Sequence, residues 1–323
     1  MRRSRWTLAL LCLLCGCEDH GARQTTKPAV SEQGSASARA TPQAVAPTDP
    51  RWQRGQGLPY ELLGTQVWDV PDPVSGRDYQ VFVSLPASYD DRPQREYPVL
   101  YVTDADYAFP VARQIARRLN GEGARVQDFI LVGLSYARGE TGMSSRRRDY
   151  TPTPAGSPGA PPEAVHGGAE AYIAYVRDQV FGFIEGRYRA ASDRRIFLGH
   201  SYGGLLGTQI MLTEPTMFSA YILGSPSYWY DQHAMAKLEK AYARQHDDLP
   251  AKVYMYVGQY EQVRYGKQYD MVTDARALTA ALSSHGYRSL GLKLEVLDDE
   301  DHLSIAPRGM THGLLQILAA DPP

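Results

Sequence analysis

The chain is poor in cysteine. It has three among 323 residues, and all of them, Cys12, Cys15 and Cys17, lie close to the N-terminus. A folded domain built from the rest of the chain therefore has no disulfide, no thiolate metal site and no cysteine nucleophile. Any nucleophilic chemistry in that domain has to come from another residue type.

The chain also lacks an excess of charge of either sign. Its 34 basic residues are balanced by 36 acidic residues, and no basic stripe stands out along the sequence. This balance gives no electrostatic support for nucleic-acid binding, so we expect small molecules as partners. With 43% hydrophobic and 22% charged residues, the chain is well able to bury a full core.

Long hydrophobic runs are scarce, and the clearest one is at the N-terminus. A basic start, Met1–Arg5, precedes an apolar run of ten residues from Trp6 to Cys15. This run is too short to span a bilayer and is typical of a secretory signal peptide. It ends in Leu14-Cys15-Gly16-Cys17, which resembles a bacterial lipobox. We predict a lipoprotein signal peptide over residues 1–16 and a lipid-modified Cys17, with an ordinary cleaved signal peptide as the alternative.

Residues 17–57 form a segment rich in Ala, Ser, Thr, Gln and Pro with almost no large apolar side chain. Such a segment cannot bury enough surface to offset the entropy of ordering, and it predicts a flexible tether. Together with lipidation of Cys17, it predicts a protein of the bacterial cell envelope, periplasmic or surface-exposed. Its only membrane contact would be the N-terminal lipid anchor.

Residues 58–323 alternate between strand-like and helix-like segments. This alternation predicts an α/β fold with a mostly parallel central sheet and helices on both faces. Residues 138–168, rich in Gly and Pro, interrupt the alternation and predict a long functional or disordered loop. The predicted strands cover 62–70, 79–85, 97–103, 128–136, 196–198, 219–224, 252–257 and 291–297, and the predicted helices cover 111–119, 169–186, 205–212, 233–245, 269–285 and 310–319.

The sequence from Arg195 to Leu206, RIFLGHSYGGLL, contains the strongest motif. A short apolar strand leads into Gly-x-Ser-x-Gly, and a helix-like segment follows. This context predicts a nucleophile elbow, in which Ser201 adopts a strained backbone above the carboxyl end of the sheet. The flanking Gly199 and Gly203 are expected because a Cβ at either position would collide with the neighbouring strand or helix.

A serine nucleophile needs a base and an acid, and α/β-hydrolases supply them in the order Ser, acid, His after later strands. Glu261 follows the strand at 252–257, and His302 follows the strand at 291–297. We therefore predict His302 as the base and Glu261 as the acid. Asp270 and Asp274 remain alternatives for the acid. A Ser–His dyad that works without an acid is a further alternative. His200 lies inside the elbow and is expected to point away from the nucleophile.

An oxyanion hole needs two N–H donors aimed at the developing negative charge. Tyr202, the residue after the nucleophile, is predicted to supply one of them. The second is expected from the segment after the strand at 97–103, where we favour the backbone of Ala105 or Asp106.

Several motifs together carry a family resemblance. They are Leu85-Pro86-x-Ser88-Tyr89, Tyr97-Pro98-Val99-Leu100-Tyr101-Val102-x-Asp104, Arg148-Asp149-Tyr150-Thr151-Pro152, Gly199-His200-Ser201-Tyr202-Gly203-Gly204, Ser225-Pro226-Ser227-x-Trp229 and Glu300-Asp301-His302-x-Ser304. In this order, over most of 58–320, the chain resembles the putative esterase family of α/β-hydrolases, and within it the siderophore esterase branch.

The resemblance implies a serine esterase without a metal or other cofactor, with Ser201 as nucleophile and His302 as base. It also implies that the basic run ending in Arg148 meets an anionic substrate, a solvated loop being the alternative. Tyr150 and Trp229 are candidates for the acyl pocket or are simply packed aromatics. One departure is Asp104-Ala105, where relatives usually have Asp-Gly, and this leaves the second oxyanion donor open.

Three functions follow from these residues. The first is hydrolysis of a small-molecule carboxylic ester, of the siderophore type, through an acyl-enzyme. The second is acyl transfer to a sugar or another alcohol on the same fold. The third is a lipoprotein that binds a ligand without catalysis, which the complete set of serine, acid and histidine disfavours.

Overall fold

The chain divides into two units, residues 1–52 and 53–323. The computed structural model describes Gly57 and residues 59–320 of the second unit. The predicted signal peptide, Cys17 and nearly all of the predicted tether lie outside the described residues. Within the described part, no helix has the length and apolar character needed to cross a bilayer.

One eight-stranded sheet organises the described residues, with strand order β1-β2-β4-β3-β5-β6-β7-β8. The first three strands in this order pair antiparallel, and all the remaining pairs are parallel. The predicted mostly parallel sheet is therefore confirmed. The strands are β1 (Thr65–Asp69), β2 (Gln80–Ser84), β3 (Tyr97–Val102), β4 (Ile130–Leu134), β5 (Ala190–His200), β6 (Ala220–Gly224), β7 (Lys252–Gly258) and β8 (Gly291–Leu297).

Helices cover both faces of the sheet, as predicted. The helices are α1 (Ala105–Leu119), α2 (Gly142–Asp149), α3 (Ala169–Tyr175), α4 (Phe181–Arg187), α5 (Tyr202–Thr213), α6 (Tyr230–Ala243), α7 (Met271–Ser284) and α8 (Ala306–Ile317). A π-helical segment, Val176–Val180, joins α3 to α4, and a 3₁₀ turn spans Val263–Tyr265.

The core lies in two layers, because successive side chains of a strand point to opposite faces. In β3, Val99 and Tyr101 belong to the larger apolar cluster, which includes residues of α3 to α7. Leu100 and Val102 point the other way, into the cluster with α1 and α8. All six residues of β3 are buried, as expected for a central strand covered on both faces.

The prediction of a long functional or disordered loop over 138–168 is wrong for residues 142–149, which form α2. Thr141 caps this helix by accepting a hydrogen bond from the Ser144 N–H at 3.1 Å, and the Ser145 hydroxyl donates to Asp149 at 3.0 Å. The helix is held by polar contacts and carries three successive arginines. It has no apolar stripe, which is the pattern that reveals a helix in sequence.

Several predicted boundaries also shift. Helix α1 begins at Ala105 rather than at residue 111, and α8 begins at Ala306 rather than at residue 310. Both missed segments contain a proline, Pro110 in α1 and Pro307 in α8, a residue type that usually marks a helix boundary in sequence. The consequence matters at α1, because Ala105 and Asp106 lie in its first turn and not in a loop.

Candidate active site

The turn between β5 and α5 places Ser201 at the carboxyl edge of the sheet. Ser201 has φ 60° and ψ −116°, a backbone conformation that residues other than glycine rarely adopt. Hydrogen bonds fix the turn on both sides: the Ser201 N–H donates to the Gly224 carbonyl at 2.8 Å, and the Ser201 carbonyl accepts from the Ser227 N–H at 3.2 Å. The surrounding strands thus hold the strained turn that the motif predicts.

The glycines beside Ser201 are required by close backbone approach. A Cβ on Gly199 would overlap the carbonyl group of Gly203, and a Cβ on Gly203 would overlap the Thr103 hydroxyl. Gly203 therefore lies directly against the end of β3, which leads into α1. The expectation that neither position accepts a side chain agrees with this packing.

Glu261 and His302 meet across two loops. The first loop follows β7 and the second follows β8, and the Nδ1 atom of His302 lies 2.6 Å from Oε2 of Glu261. Glu261 is buried, with 1% of its surface exposed. Its other oxygen, Oε1, accepts hydrogen bonds from the Ser225 hydroxyl at 2.5 Å and from the Gly258 N–H at 2.8 Å. Three donors therefore surround one buried carboxylate.

The alternative acids are engaged elsewhere. Asp270 caps α7 by accepting a hydrogen bond from the Thr273 N–H at 2.9 Å. Asp274 pairs with His233, whose Nε2 lies 3.0 Å away. Of the three carboxylates considered from the sequence, the structure thus brings Glu261 to His302.

The hydroxyl of Ser201 has one hydrogen-bond contact within the described part of the chain, to the Ser227 hydroxyl at 3.3 Å. Ser227 is buried, with 1% of its surface exposed. The sequence contained Ser227 only as part of a family motif, and nothing in its local pattern indicated a contact with residue 201. The approach depends on how the segment after β6 folds back over the elbow.

His200 lies beneath the loop that carries His302. Its Nε2 donates a hydrogen bond to the His302 carbonyl at 3.0 Å, and the two imidazole rings are 4.7 Å apart between centroids. Burial, reinforced by the neighbouring His302 and the guanidinium of Arg146, lowers the pKa of His200 to about 3. His200 is therefore neutral at physiological pH. Besides lying in the elbow, it links the elbow to the His302 loop.

The three backbone groups predicted for the oxyanion hole all lie at helix N-termini. Tyr202 begins α5, and Ala105 and Asp106 begin α1. The first N–H groups of a helix lack intrahelical acceptors and carry the positive end of its dipole. Ala105 stands where the resemblance predicts glycine, and the backbone explains why alanine is accepted there. The left-handed residue is Asp104, with φ 54°, while Ala105 has a negative φ inside the helix. Glycine is therefore not needed at position 105.

Of the three successive arginines in α2, Arg146 faces the elbow. Its Nε and Nη2 atoms lie 3.0 Å and 3.3 Å from the carboxylate oxygens of Asp104, and Nη2 also donates to the His200 carbonyl at 3.4 Å. The guanidinium lies 5.3 Å from the ring centroid of Tyr202. This one side chain therefore connects the N-cap of α1 to the peptide bond before Ser201.

Arg148, predicted from the resemblance to meet the substrate, is committed to other side chains. Its Nε lies 2.8 Å from Oδ1 of Asp149, and Nη1 lies 2.7 Å from Oε1 of Glu140. Its side chain is only 11% exposed. The structure thus gives Arg148 a bracing role around α2, and contact between Arg148 and a substrate stays a prediction.

The two aromatic candidates differ in exposure. Tyr150 is fully packed, with 1% of its surface exposed, and its hydroxyl accepts a long hydrogen bond, 3.4 Å, from the Asp104 N–H. Trp229 is partly exposed and stacks on Tyr269, with ring centroids 4.0 Å apart and planes inclined by 3°. Its ring also lies 6.1 Å from that of Tyr202. Trp229 thus forms part of an aromatic wall next to the residue that follows Ser201.

The structure combines an eight-stranded sheet with a strained serine between β5 and α5 and a carboxylate–histidine pair after β7 and β8. This is the arrangement of an α/β-hydrolase. Comparison with known proteins agrees. Residues 73–289 match the family model described as "Putative esterase". This protein belongs to that family and is a carboxylic-ester hydrolase.

Two curated relatives cover most of the chain. The ferri-bacillibactin esterase BesA of Bacillus subtilis is 30% identical over 288 residues, which is 85% of this chain and 97% of the relative. The siderophore triacetylfusarinine C esterase of Aspergillus fumigatus is 27% identical, over 74% of this chain and 88% of the relative.

Solved structures show the same fold. The BES protein from Bacillus cereus matches with a TM-score of 0.69 and 23% identity, over 82% of this chain and 99% of that one. The siderophore hydrolase EstB from Aspergillus nidulans matches with a TM-score of 0.68 and 23% identity, over 80% and 96% of the two chains.

Proposed function

We propose that this protein hydrolyses an ester bond of a siderophore through an acyl-enzyme on Ser201, with His302 as the base and Glu261 as the acid. Support for the substrate class comes from the curated relatives, which are named as esterases of ferri-bacillibactin and of triacetylfusarinine C. Support for the chemistry comes from the site itself. The observation that carries it is the 2.6 Å contact between His302 and a buried Glu261.

This contact defines the role of each imidazole nitrogen. With Nδ1–H donating to Glu261, the neutral ring carries its lone pair on Nε2, which is the nitrogen that can accept a proton. Ser201 gives its proton to Nε2 as its oxygen attacks the ester carbonyl, and the alcohol leaves with that proton. Water then repeats the exchange on the acyl-enzyme and releases the acid. The Glu261 carboxylate stabilises the imidazolium formed in each step.

The backbone supplies the countercharge for the tetrahedral intermediate. We propose Tyr202 N–H as one oxyanion donor and Ala105 or Asp106 N–H as the other. Both groups belong to helices that begin at the carboxyl ends of β3 and β5, which are parallel neighbours. Losing one such donor slows an enzyme of this type by about 10²–10³-fold.

The aromatic wall of Trp229 and Tyr269 is the surface that we propose for the acyl side of the substrate. A flat apolar face suits an aryl group, and stacking is most favourable when rings lie parallel with an offset. Arg148 stays a candidate for contact with an anionic substrate, although its present partners would have to release it.

We also propose that Cys17 carries a lipid and holds the enzyme in the bacterial cell envelope. The motif Leu14-Cys15-Gly16-Cys17 and the tether composition support this proposal. Expression with a labelled fatty acid tests it. Label in the wild-type protein and none in Cys17→Ser supports the anchor, whereas an unlabelled wild-type protein that is released after cleavage contradicts it.

The substrate proposal is tested with the full chain in detergent. Ferric bacillibactin, ferric triacetylfusarinine C and p-nitrophenyl butyrate are supplied separately, and the products are followed by liquid chromatography and mass spectrometry. We expect kcat/KM for at least one siderophore to exceed that for the simple ester by tenfold or more. Hydrolysis of p-nitrophenyl butyrate but of neither siderophore would contradict the proposed substrate class. Activity of Ser201→Ala equal to that of the wild type would contradict the role of Ser201 as nucleophile.

A further inference from the structure

The hydroxyl of Ser201 has a neighbour, Ser227, that takes no part in the steps described above. Ser227 lies two residues after Ser225, in the segment that follows β6. The two serines reach different members of the site: the Ser225 hydroxyl donates to Glu261 at 2.5 Å, and the Ser227 hydroxyl lies 3.3 Å from that of Ser201. We propose that Ser227 is a further catalytic residue, which donates a hydrogen bond to Oγ of Ser201 when that oxygen carries negative charge.

Ser227 is held firmly in this position. Its N–H donates to the Ser201 carbonyl at 3.2 Å, and its own carbonyl accepts from the Tyr230 N–H at 3.0 Å. The residue is 1% exposed, and Ser201 is the one hydrogen-bond partner of its hydroxyl within the described part of the chain. A hydroxyl shielded from water and facing one oxygen has no competing acceptor. Donation to Ser201 therefore needs no rearrangement of the backbone.

The length of the contact favours a role in the reaction over a role in the resting enzyme. Hydroxyl–hydroxyl hydrogen bonds are strongest near 2.7–2.8 Å, so a separation of 3.3 Å is weak between two neutral groups. A hydrogen bond to an oxygen that becomes negative shortens and strengthens. The interaction thus stabilises the charged oxygen more than the neutral one, which is the requirement for catalysis.

The largest effect is expected in deacylation, which rests on the acyl-enzyme of the proposed function. Water attacks the acyl carbonyl and gives a proton to Nε2 of His302. When the tetrahedral intermediate collapses, the bond between the carbonyl carbon and Oγ of Ser201 breaks, and its electron pair stays on Oγ. The imidazolium then returns the proton to Oγ and the free acid leaves. Ser227 keeps its own proton throughout and stabilises Oγ as a leaving group.

In acylation the same hydrogen bond has opposing effects. It stabilises charge on Oγ but also withdraws electron density from the attacking atom, so a smaller net change is expected. Loss of Ser227 should therefore slow deacylation selectively. Removing a hydrogen bond to a charged group corresponds to a loss on the order of tenfold or more in rate.

The test compares the wild type, Ser227→Ala and Ser227→Thr as full-length proteins with p-nitrophenyl acetate. For this substrate kcat reports deacylation when p-nitrophenolate release is fast, and kcat/KM reports acylation. We expect Ser227→Ala to lower kcat roughly tenfold, with kcat/KM changed less than threefold, since only the leaving step loses its donor. Acetylated enzyme should accumulate in the mass spectrum at steady state. Ser227→Thr, which keeps a hydroxyl, should recover most of kcat.

Ser219→Ala provides the matched control, because Ser219 is an exposed serine directly before β6, and its hydroxyl contacts only the Arg195 carbonyl among the described residues. Its kinetics should equal those of the wild type. Equal losses of kcat and kcat/KM in Ser227→Ala, or no accumulation of acetylated enzyme, would overturn the role of Ser227 while leaving the esterase intact. A wild type without Ser201-dependent turnover would instead overturn the proposed chemistry and this role together.

Discussion

Replacing His200 by glutamine should make the protein more resistant to acid. The Nε2 of His200 donates to the His302 carbonyl, and burial, together with the neighbouring His302 and Arg146, lowers the pKa of His200 from 6.5 to about 3. A glutamine amide can donate from a similar position but does not titrate. The variant therefore keeps the hydrogen bond and removes only the group that resists protonation.

The sign and size of the effect follow from proton linkage. Between pH 6.5 and 3 the unfolded chain binds a proton at His200 and the folded protein does not, so stability falls as pH falls through this range. At pH 5 the full pKa difference corresponds to about 2 kcal/mol relative to pH 7. His200 is partly exposed as a residue, although its Nδ1 is shielded, so we expect about 1–2 kcal/mol.

Urea unfolding at pH 7 and pH 5 measures this difference. The wild type should lose about 1–2 kcal/mol more than His200→Gln between the two values, with equal dependence on urea concentration. His246→Gln is the matched control, because His246 is exposed and lies away from the site, and its pH dependence should follow that of the wild type. The same acid sensitivity in His200→Gln and the wild type would refute the reasoning.

Further predictions concern the acid, the elbow and the aromatic wall. Glu261→Gln should lower kcat by about 10²–10⁴-fold in a steady-state ester assay, because Glu261 orients His302 and stabilises its charged form, whereas Asp270→Asn should leave kcat unchanged. Gly199→Ala should lower the free energy of unfolding, measured with urea, by about 3 kcal/mol, because the added Cβ overlaps the backbone of Gly203. Gly182→Ala should not lower it, because a Cβ at Gly182 has no atom within contact distance. Trp229→Ala should raise KM for an aryl siderophore ester by roughly tenfold, while KM for an acetyl ester should change by less than about twofold. Equal changes of KM for the two esters would argue against contact between Trp229 and the substrate.

The centre of the sheet could be predicted from the sequence because β3, β4 and β6 are continuous buried runs with helices between them. The buried run at 97–102 is an example, with all six side chains enclosed. Helix α2 could not be predicted, since it is held by the Thr141 cap and by a hydrogen bond between Ser145 and Asp149 rather than by an apolar face. Without α2, the choice between Arg146 and Arg148 had no basis, because neighbours two residues apart point to nearly opposite sides of a helix.

The site divides in the same way. Ser201 is marked by its own motif, and Glu261 and His302 are marked by their places after β7 and β8. The order of chemical groups was therefore enough to indicate that Glu261 and His302 form a pair, while their catalytic roles stay predictions. His200 and Ser227 make contacts with residues that are distant in the chain: His200, at the end of β5, contacts residue 302, and Ser227 contacts residue 201. Such contacts depend on the packing of the loops above the sheet, which leaves no periodic pattern in the sequence.

The most direct test of the central claim is reaction with a fluorophosphonate, followed by mass spectrometry of the digested protein. The account predicts one adduct, on Ser201, absent in Ser201→Ala and formed at least about 100-fold more slowly in His302→Ala, where the base is missing. An adduct on a different residue, or labelling of His302→Ala at the wild-type rate, would contradict it.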